Sequence, residues 1–236
     1  MNKAFDIGYA LQCFGEILKA LPITVLITAV AFLAGLAIGL FSALVKIYKL
    51  PALNWLVTFY TSFIRGTPLL VQIYISYYGL PVILSYFNNK YGLEMNISKI
   101  PAIYFVYIAY SLNTGAYLTE TIRSAIMAVD PGQYEAAYSI GMTNRQTYTR
   151  IILPQAFLWM LPNLGNTFIS LIKDTSLAFS VTILEIIGTS KLLGSRNLRY
   201  FEVYLDAALI YWMTCILIEI IVNRLEKRMK RKRGIQ

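Results

Sequence analysis

Asp130 to Pro154 reads DPGQYEAAYSIGMTNRQTYTRIILP, a short, charged, glycine-punctuated stretch between two strongly apolar regions. Asp130 is suited to cap a helix whose first position is Pro131, because proline there loses no intrahelical hydrogen bond. Glu135 to Ile140 allows one or two helical turns, and Gly141 offers an easy positive φ. Thr143 or Asn144 can cap a second short helix running toward Ile151, and Pro154 would open the next long segment. The stretch therefore predicts a helix-turn-helix elbow projecting from an apolar body. Its small residues Ala136 and Ala137 would let a partner approach closely.

The rest of the chain is built for lipid. It has 236 residues, 57% of them hydrophobic and 14% charged, with a mean hydropathy of +0.57, whereas soluble domains carry about a quarter charged residues. An all-α integral membrane protein is the expectation. The net charge of +9 does not indicate nucleic acid, because the densest basic run closes the chain directly after an apolar segment. Arg224, Lys227, Arg228, Lys230, Arg231, Lys232 and Arg233 read better as a membrane-surface run. Cys13 and Cys215 have no metal or disulfide spacing, and the absence of histidine removes the usual general base and the commonest metal ligand.

One transmembrane domain over 1–236 is expected, with hydrophobic segments at about 20–45, 55–87, 101–129, 155–187 and 203–223 and the elbow at 130–154. Residues Met1 to Lys19 carry Lys3, Asp6, Glu16 and Lys19 and do not resemble a cleaved leader. In the first span Thr28, Ala31, Gly35, Gly39 and Ser42 recur at helical spacing. They mark either a close helix contact or glycines tolerated against lipid. Arg65, Gly66, Thr67 and Pro68 predict a kink or break in the second segment. Arg65 and Gln72 share a face if the helix continues, or Arg65 snorkels to the interface. Asn113, Tyr117 and Glu120 share a face of the third, and Glu120 either faces a watery cavity or simply pairs with Arg123. Gln155 to Ile172 reads as an uncharged apolar run, interrupted by Lys173, Asp174, Thr175 and Ser176. An unbroken helix would align Asp174 with Glu185. A loop with Lys191, Arg196 and Arg199 precedes the last span. With five spans, twelve basic residues on the C-terminal side oppose seven on the other, which places the N-terminus outside and the C-terminus and elbow inside.

Glu135, Ala136, Ala137, Gly141, Ile151, Leu153 and Pro154 match, at every spacing, the EAA loop of ABC-importer permeases. Asp130 to Gln133, Arg65 to Pro68 followed by Gln72, and Lys173 to Leu177 resemble the polar amino acid uptake subfamily of these proteins. The resemblance covers nearly the whole chain. It implies a type I importer in the bacterial cytoplasmic membrane: two five-helix permease subunits, identical or paralogous, two ABC ATPase subunits, and an extracytoplasmic solute-binding protein. ATP and Mg would belong to the partner ATPase, and the chain carries no GxxxxGK[ST] loop of its own. The loop residues Gln133, Glu135, Ala136, Ala137, Gly141, Arg145, Arg150, Ile151, Leu153 and Pro154 would couple to that ATPase.

An amino acid cargo needs donors for its carboxylate and an acceptor for its ammonium, both shielded from lipid. Arg65 or backbone N–H groups near the break suit the first role, and Asp174 or Glu120 the second. Gln72, Asn113, Tyr117, Thr175 and Ser176 are candidates for further hydrogen bonds. Two other readings remain at this point: a self-contained channel or carrier relaying protons or sodium through Glu120, Asp174 and Glu185, and an assembly protein using the elbow as a generic partner site.

Overall fold

A short amphipathic helix, α1 (Ile7–Leu18), opens the chain in a computed structural model that describes residues 5–232. α2 (Leu21–Tyr48), α3 (Pro51–Arg65) and α4 (Leu69–Tyr74) follow, the last running through a π-helical turn (Ile75–Gly79) into α5 (Leu80–Tyr91). After α6 (Ala102–Met127) come the short α7 (Gly132–Ser139) and α8 (Asn144–Thr147). A second π-helical turn (Tyr148–Ile152) leads into α9 (Leu153–Asp174). A 3₁₀ segment (Thr175–Val181), α10 (Ile186–Asn197) and α11 (Tyr200–Lys232) complete the order. Lys3 and Arg233, counted in the charge balance, lie outside the described residues.

The centre of the fold is the contact between α2 and α6. Thr28, Ala31, Gly35, Gly39 and Ser42 are all buried. A Cβ on Gly35 would stand 2.8 Å from Thr114 Cβ, and one on Gly39 would stand 2.8 Å from Leu118 Cβ. From the other side, a Cβ on Gly115 would meet Ile38 Cγ2 at 2.8 Å. Three missing side chains thus let two backbones touch, and the glycines are packing residues rather than lipid-facing ones. The outer surface is apolar: Leu33, Trp55, Trp159 and Trp212 are each more than 60% exposed, as a bilayer and not water would favour.

Helix ends follow local chemistry. Pro22 and Pro51 sit in first turns, where the missing donor is harmless. Asp6 starts α1 by accepting from Tyr9 N at 3.1 Å. α1 is an element that the charge pattern of Met1 to Lys19 does not reveal. Its Cys13 and Ile17 form one buried cluster with Ile186, Val203, Ala207 and Ile210 of α10 and α11.

Several expectations change. The 55–87 segment is two helices separated by Gly66, Thr67 and Pro68, so Arg65 and Gln72 share no helical face. The 155–187 segment also breaks, because Thr182 takes a left-handed conformation (φ 68°) before α10. Asp174 and Glu185 are therefore not aligned; Glu185 instead caps α10, accepting from Gly188 N at 2.9 Å and from Tyr211 Oη at 2.7 Å. Lys191 and Arg196 lie on α10 and not in a loop. α7 begins at Gly132, one residue later than expected, with the Asp130 carboxylate accepting from Gly132 N at 2.8 Å. Among the described residues, Ile7–Tyr48, Leu69–Tyr91 and Tyr200–Arg231 are long and apolar enough to cross a membrane. A fourth span results if the pair Asn144–Val181 and Ile186–Asn197, bent by 52°, counts as one.

Filling the α2–α6 contact should therefore be costly. Gly39→Val is expected to lower stability by roughly 1–3 kcal/mol through overpacking, read as a drop in melting temperature in detergent. Gly15→Ala, where an added Cβ meets nothing within 4 Å, should leave the melting temperature unchanged or raised.

Candidate functional site

A polar groove of about 620 Å³ opens between the α3–α4 break, α6 and α9. The break contributes Arg65, Thr67 and Pro68; α6 contributes Asn113, Tyr117 and Glu120; α9 contributes Asn163, Asn166, Thr167, Ser170 and Asp174. The last five fall at 163, 166 and 167, 170 and 174, one turn after another, so they form one polar stripe down a largely apolar helix. Charge alone does not mark this face, since only Asp174 is ionisable. The period of its amides and hydroxyls was nonetheless visible in the sequence.

The break is held by Gln72. Its Nε2 donates to Ile64 O at 2.7 Å and to Thr67 O at 3.0 Å, satisfying carbonyls that the interrupted helix leaves free. Its Oε1 accepts from Asn113 Nδ2 at 2.9 Å, tying the turn to α6. Gln72 is buried and supports the groove from behind, outside its lining. Thr175 is likewise buried, donating to Ile172 O at 2.6 Å, and neither it nor Ser176 lines the groove. Arg65 lies 5.7 Å from the centroid of the Tyr117 ring and has no acidic partner among the described residues.

Glu120 is fully engaged. Its Oε1 accepts from Lys46 Nζ at 2.6 Å, and its Oε2 meets Arg123 at 2.9 Å. Lys46 also donates to Thr61 Oγ1 at 2.9 Å, so one partly buried network joins α2, α3 and α6. Of the two carboxylates proposed for an ammonium, only Asp174 has no ion-pair partner among the described residues. Glu185 is fully buried beside Tyr211, away from the groove lining. Of the three acids of the carrier reading, Glu120 and Asp174 line the groove and Glu185 does not.

At the end of α6 stands the elbow. α7 closes with a Schellman motif: Met142 N donates to Ala137 O at 3.1 Å and Gly141 N to Tyr138 O at 2.9 Å, with Gly141 at φ 77°. Thr143 caps α8 in a reciprocal box with Gln146. Tyr134 packs edge-on against Tyr148 at 5.6 Å, and Tyr148 lies 6.4 Å from Tyr48 at the foot of α2. Ala137 is 1% exposed and faces inward, whereas Gln133, Glu135, Ala136, Arg145, Arg150 and Leu153 are exposed. Ile151 and Pro154 are half-buried where the elbow passes into α9. Glu135 has no cationic partner among the described residues.

Comparison with known proteins agrees with this layout. Residues 35–231 match the family model described as binding-protein-dependent transport system inner membrane component. The L-cystine transport system permease protein TcyB of Bacillus subtilis (strain 168) is 42% identical over 92% of this chain and 86% of its own length. The probable amino-acid permease protein YxeN of the same organism is 40% identical over 97% of this chain and 98% of its own. A solved structure described as an amino acid ABC transporter with histidines superposes with a TM-score of 0.82 at 33% identity, covering 96% of this chain and all of that one. The inward-facing MetNI methionine ABC transporter, at 15% identity and a TM-score of 0.70, shares the fold. An elbow capped at its turn, spaced as in the EAA loop and set between apolar spans, thus sits inside a match that covers most of the chain, and the protein belongs to the family of binding-protein-dependent transport system inner membrane components.

Proposed function

We propose that the chain is the permease subunit of an ATP-driven amino acid importer, with five spans, the N-terminus outside and the elbow and C-terminus in the cytoplasm. The observation that carries this reading is the elbow itself: the short helix α7, with the Asp130 carboxylate on its first N–H and a Schellman motif at its end, offers Gln133, Glu135 and Ala136 outward while Ala137 packs inward. A partner ATPase, holding ATP and Mg, docks there. An extracytoplasmic solute-binding protein delivers cargo at the opposite face, and a second permease subunit covers the open side of the groove.

Coupling follows from connectivity. α8 runs through the π-helical turn into α9 without a loop, so displacement of the elbow is transmitted to the helix that bears the polar stripe. Pro162 lies inside α9 and removes one ladder hydrogen bond, which gives that helix a bending point one residue before Asn163. α6, locked to α2 by their glycines, forms with the α3–α4 break the opposite wall against which α9 moves. Two arrangements of α9 relative to that wall give alternating access.

In the groove Arg65 and the amides of α9 meet a carboxylate, and Asp174 meets an ammonium. Glu120 serves as the keystone of the Lys46 and Arg123 network. The cargo is a polar amino acid; the relatedness to cystine permeases supports a zwitterion.

Four experiments check these roles. Glu135→Lys or Gly141→Val should cut binding-protein-stimulated ATPase activity in the assembled complex at least about tenfold while leaving membrane insertion intact; the glycine change forces a side chain into a left-handed position costing ~1–2 kcal/mol. Normal transport by both variants would remove the docking role. Asp174→Asn should lower uptake roughly 10- to 100-fold, the value of one charge-assisted hydrogen bond, without loss of stability. Glu120→Gln should instead lower the melting temperature, because two cations lose their shared partner. The purified chain alone in liposomes should carry no substrate.

A further inference from the structure

We propose that the C-terminal turns of α11 are a binding site for anionic phospholipid headgroups. One line of residues along this helix, Met213, Leu217, Ile220, Arg224, Lys227 and Arg231, advances in alternating steps of four and three, so all six share a face. Every one is exposed. Arg228 lies beside the line, exposed as well. The ridge is apolar up to Ile220 and cationic from Arg224 onward, with no acid on it. Glu226 points elsewhere and is paired with Lys230 at 2.8 Å, and Glu219 lies off the ridge. None of Arg224, Lys227, Arg228 and Arg231 has an acidic partner among the described residues.

Length sets the depth of the change. α11 has 33 residues, hence roughly 50 Å at 1.5 Å per residue, against a bilayer of about 40–45 Å including headgroups. The apolar part of the ridge lies along acyl chains. The cationic part spans about 10 Å and begins where the phosphates are. The opposite face of α11 is already occupied: a Cβ on Gly165 of α9 would stand 2.5 Å from Val222 Cγ1. The cations therefore point away from their own subunit, into the layer that follows the acyl chains. Three of the four are arginines, whose planar fork pairs with two phosphate oxygens at once. An exposed apolar helix face leading into clustered cations is the chemistry of a lipid with a net negative headgroup, and a zwitterionic phosphatidylcholine would gain no net attraction.

The test titrates the purified full chain in detergent with phosphatidylglycerol or phosphatidylcholine and counts bound lipid by native mass spectrometry. Phosphatidylglycerol should bind in preference. The quadruple variant R224Q/K227Q/R228Q/R231Q should bind it at least about 30-fold more weakly, since each cation near an anionic surface is worth roughly fivefold. The charge-keeping variant R224K/R228K/R231K should stay within about fivefold of wild type. Raising salt from about 0.05 to 0.5 M should weaken binding to the wild-type chain, which keeps the test decisive even if the quadruple variant fails to fold. Equal affinity for both lipids, unchanged binding by a folded quadruple variant, or insensitivity to salt would each overturn the proposal. So would a quadruple variant that keeps its lipid but loses a second copy of the chain or a copurifying ATPase, since the ridge would then be a protein interface.

Discussion

The rest of the structure depends on the close approach of α2 and α6 at Gly35, Gly39 and Gly115. With these backbones in contact, α6 cannot rotate: its small face is committed to α2, and its polar face, with Asn113, Tyr117 and Glu120, must turn to the groove. The same contact brings Lys46 within 2.6 Å of Glu120 across 74 residues of sequence. It also sets α3 in place, since Tyr60 donates to Leu112 O at 2.6 Å. Packing without polar atoms thus decides the electrostatics of the site. In lipid this is a natural division, because apolar surface offers helices no net drive to associate and shape must supply it.

The second constraint is backbone satisfaction. Wherever the chain leaves helical geometry at membrane depth, free carbonyls and amides need partners that lipid cannot supply. At the α3–α4 break the Gln72 amide meets Ile64 and Thr67. After α9 the carbonyl of Asp174 accepts from Tyr110 Oη at 2.7 Å, and the carboxylate of Glu185 takes the amide of Gly188. Irregular backbone therefore occurs on both walls of the groove, each time held by a buried side chain. The interruptions expose polar groups to the groove while their far sides stay closed.

What could be read from the amino-acid order follows the range of the interaction. Gly141, the Thr143 cap and the break at Arg65 to Pro68 each depend on one residue's own φ or missing donor, so spacing along the chain revealed them. The Gly35 and Gly39 step left open a close helix contact or a lipid-facing one, because Thr114 and Leu118, which receive it, are far away in sequence. α1 escaped notice because its buried face, Cys13 and Ile17, is recognisable only once α10 and α11 are beside it. The partnership of Lys46 with Glu120 was hidden for the same reason: Arg123, three residues away, is the local candidate, and the stronger partner lies on another helix. The stripe from Asn163 to Asp174 is a different case. Its periodicity was present, but neutral amides and hydroxyls leave no trace in a count of charges.

These placements determine what charge the groove presents. Lys46 and Arg123 together exceed the single charge of Glu120, so the network carries one net positive charge and offers no free carboxylate. Arg65 and Asp174 remain, one on the α3–α4 wall and the other on α9, with opposite signs and no ion pair to quench them. In the import role proposed above, a zwitterion lying between those walls would meet a partner for each end, whereas a cargo with an extra positive charge would meet the excess of the Glu120 network. The amides of Asn163 and Asn166 add neutral donors and acceptors on the α9 wall, which is continuous with the elbow. In the same role, a change in elbow position would shift the acceptor at Asp174 relative to the donor at Arg65. Separating the two ends of a bound zwitterion would weaken its hold, so a motion that reorients the groove would also release what it carries.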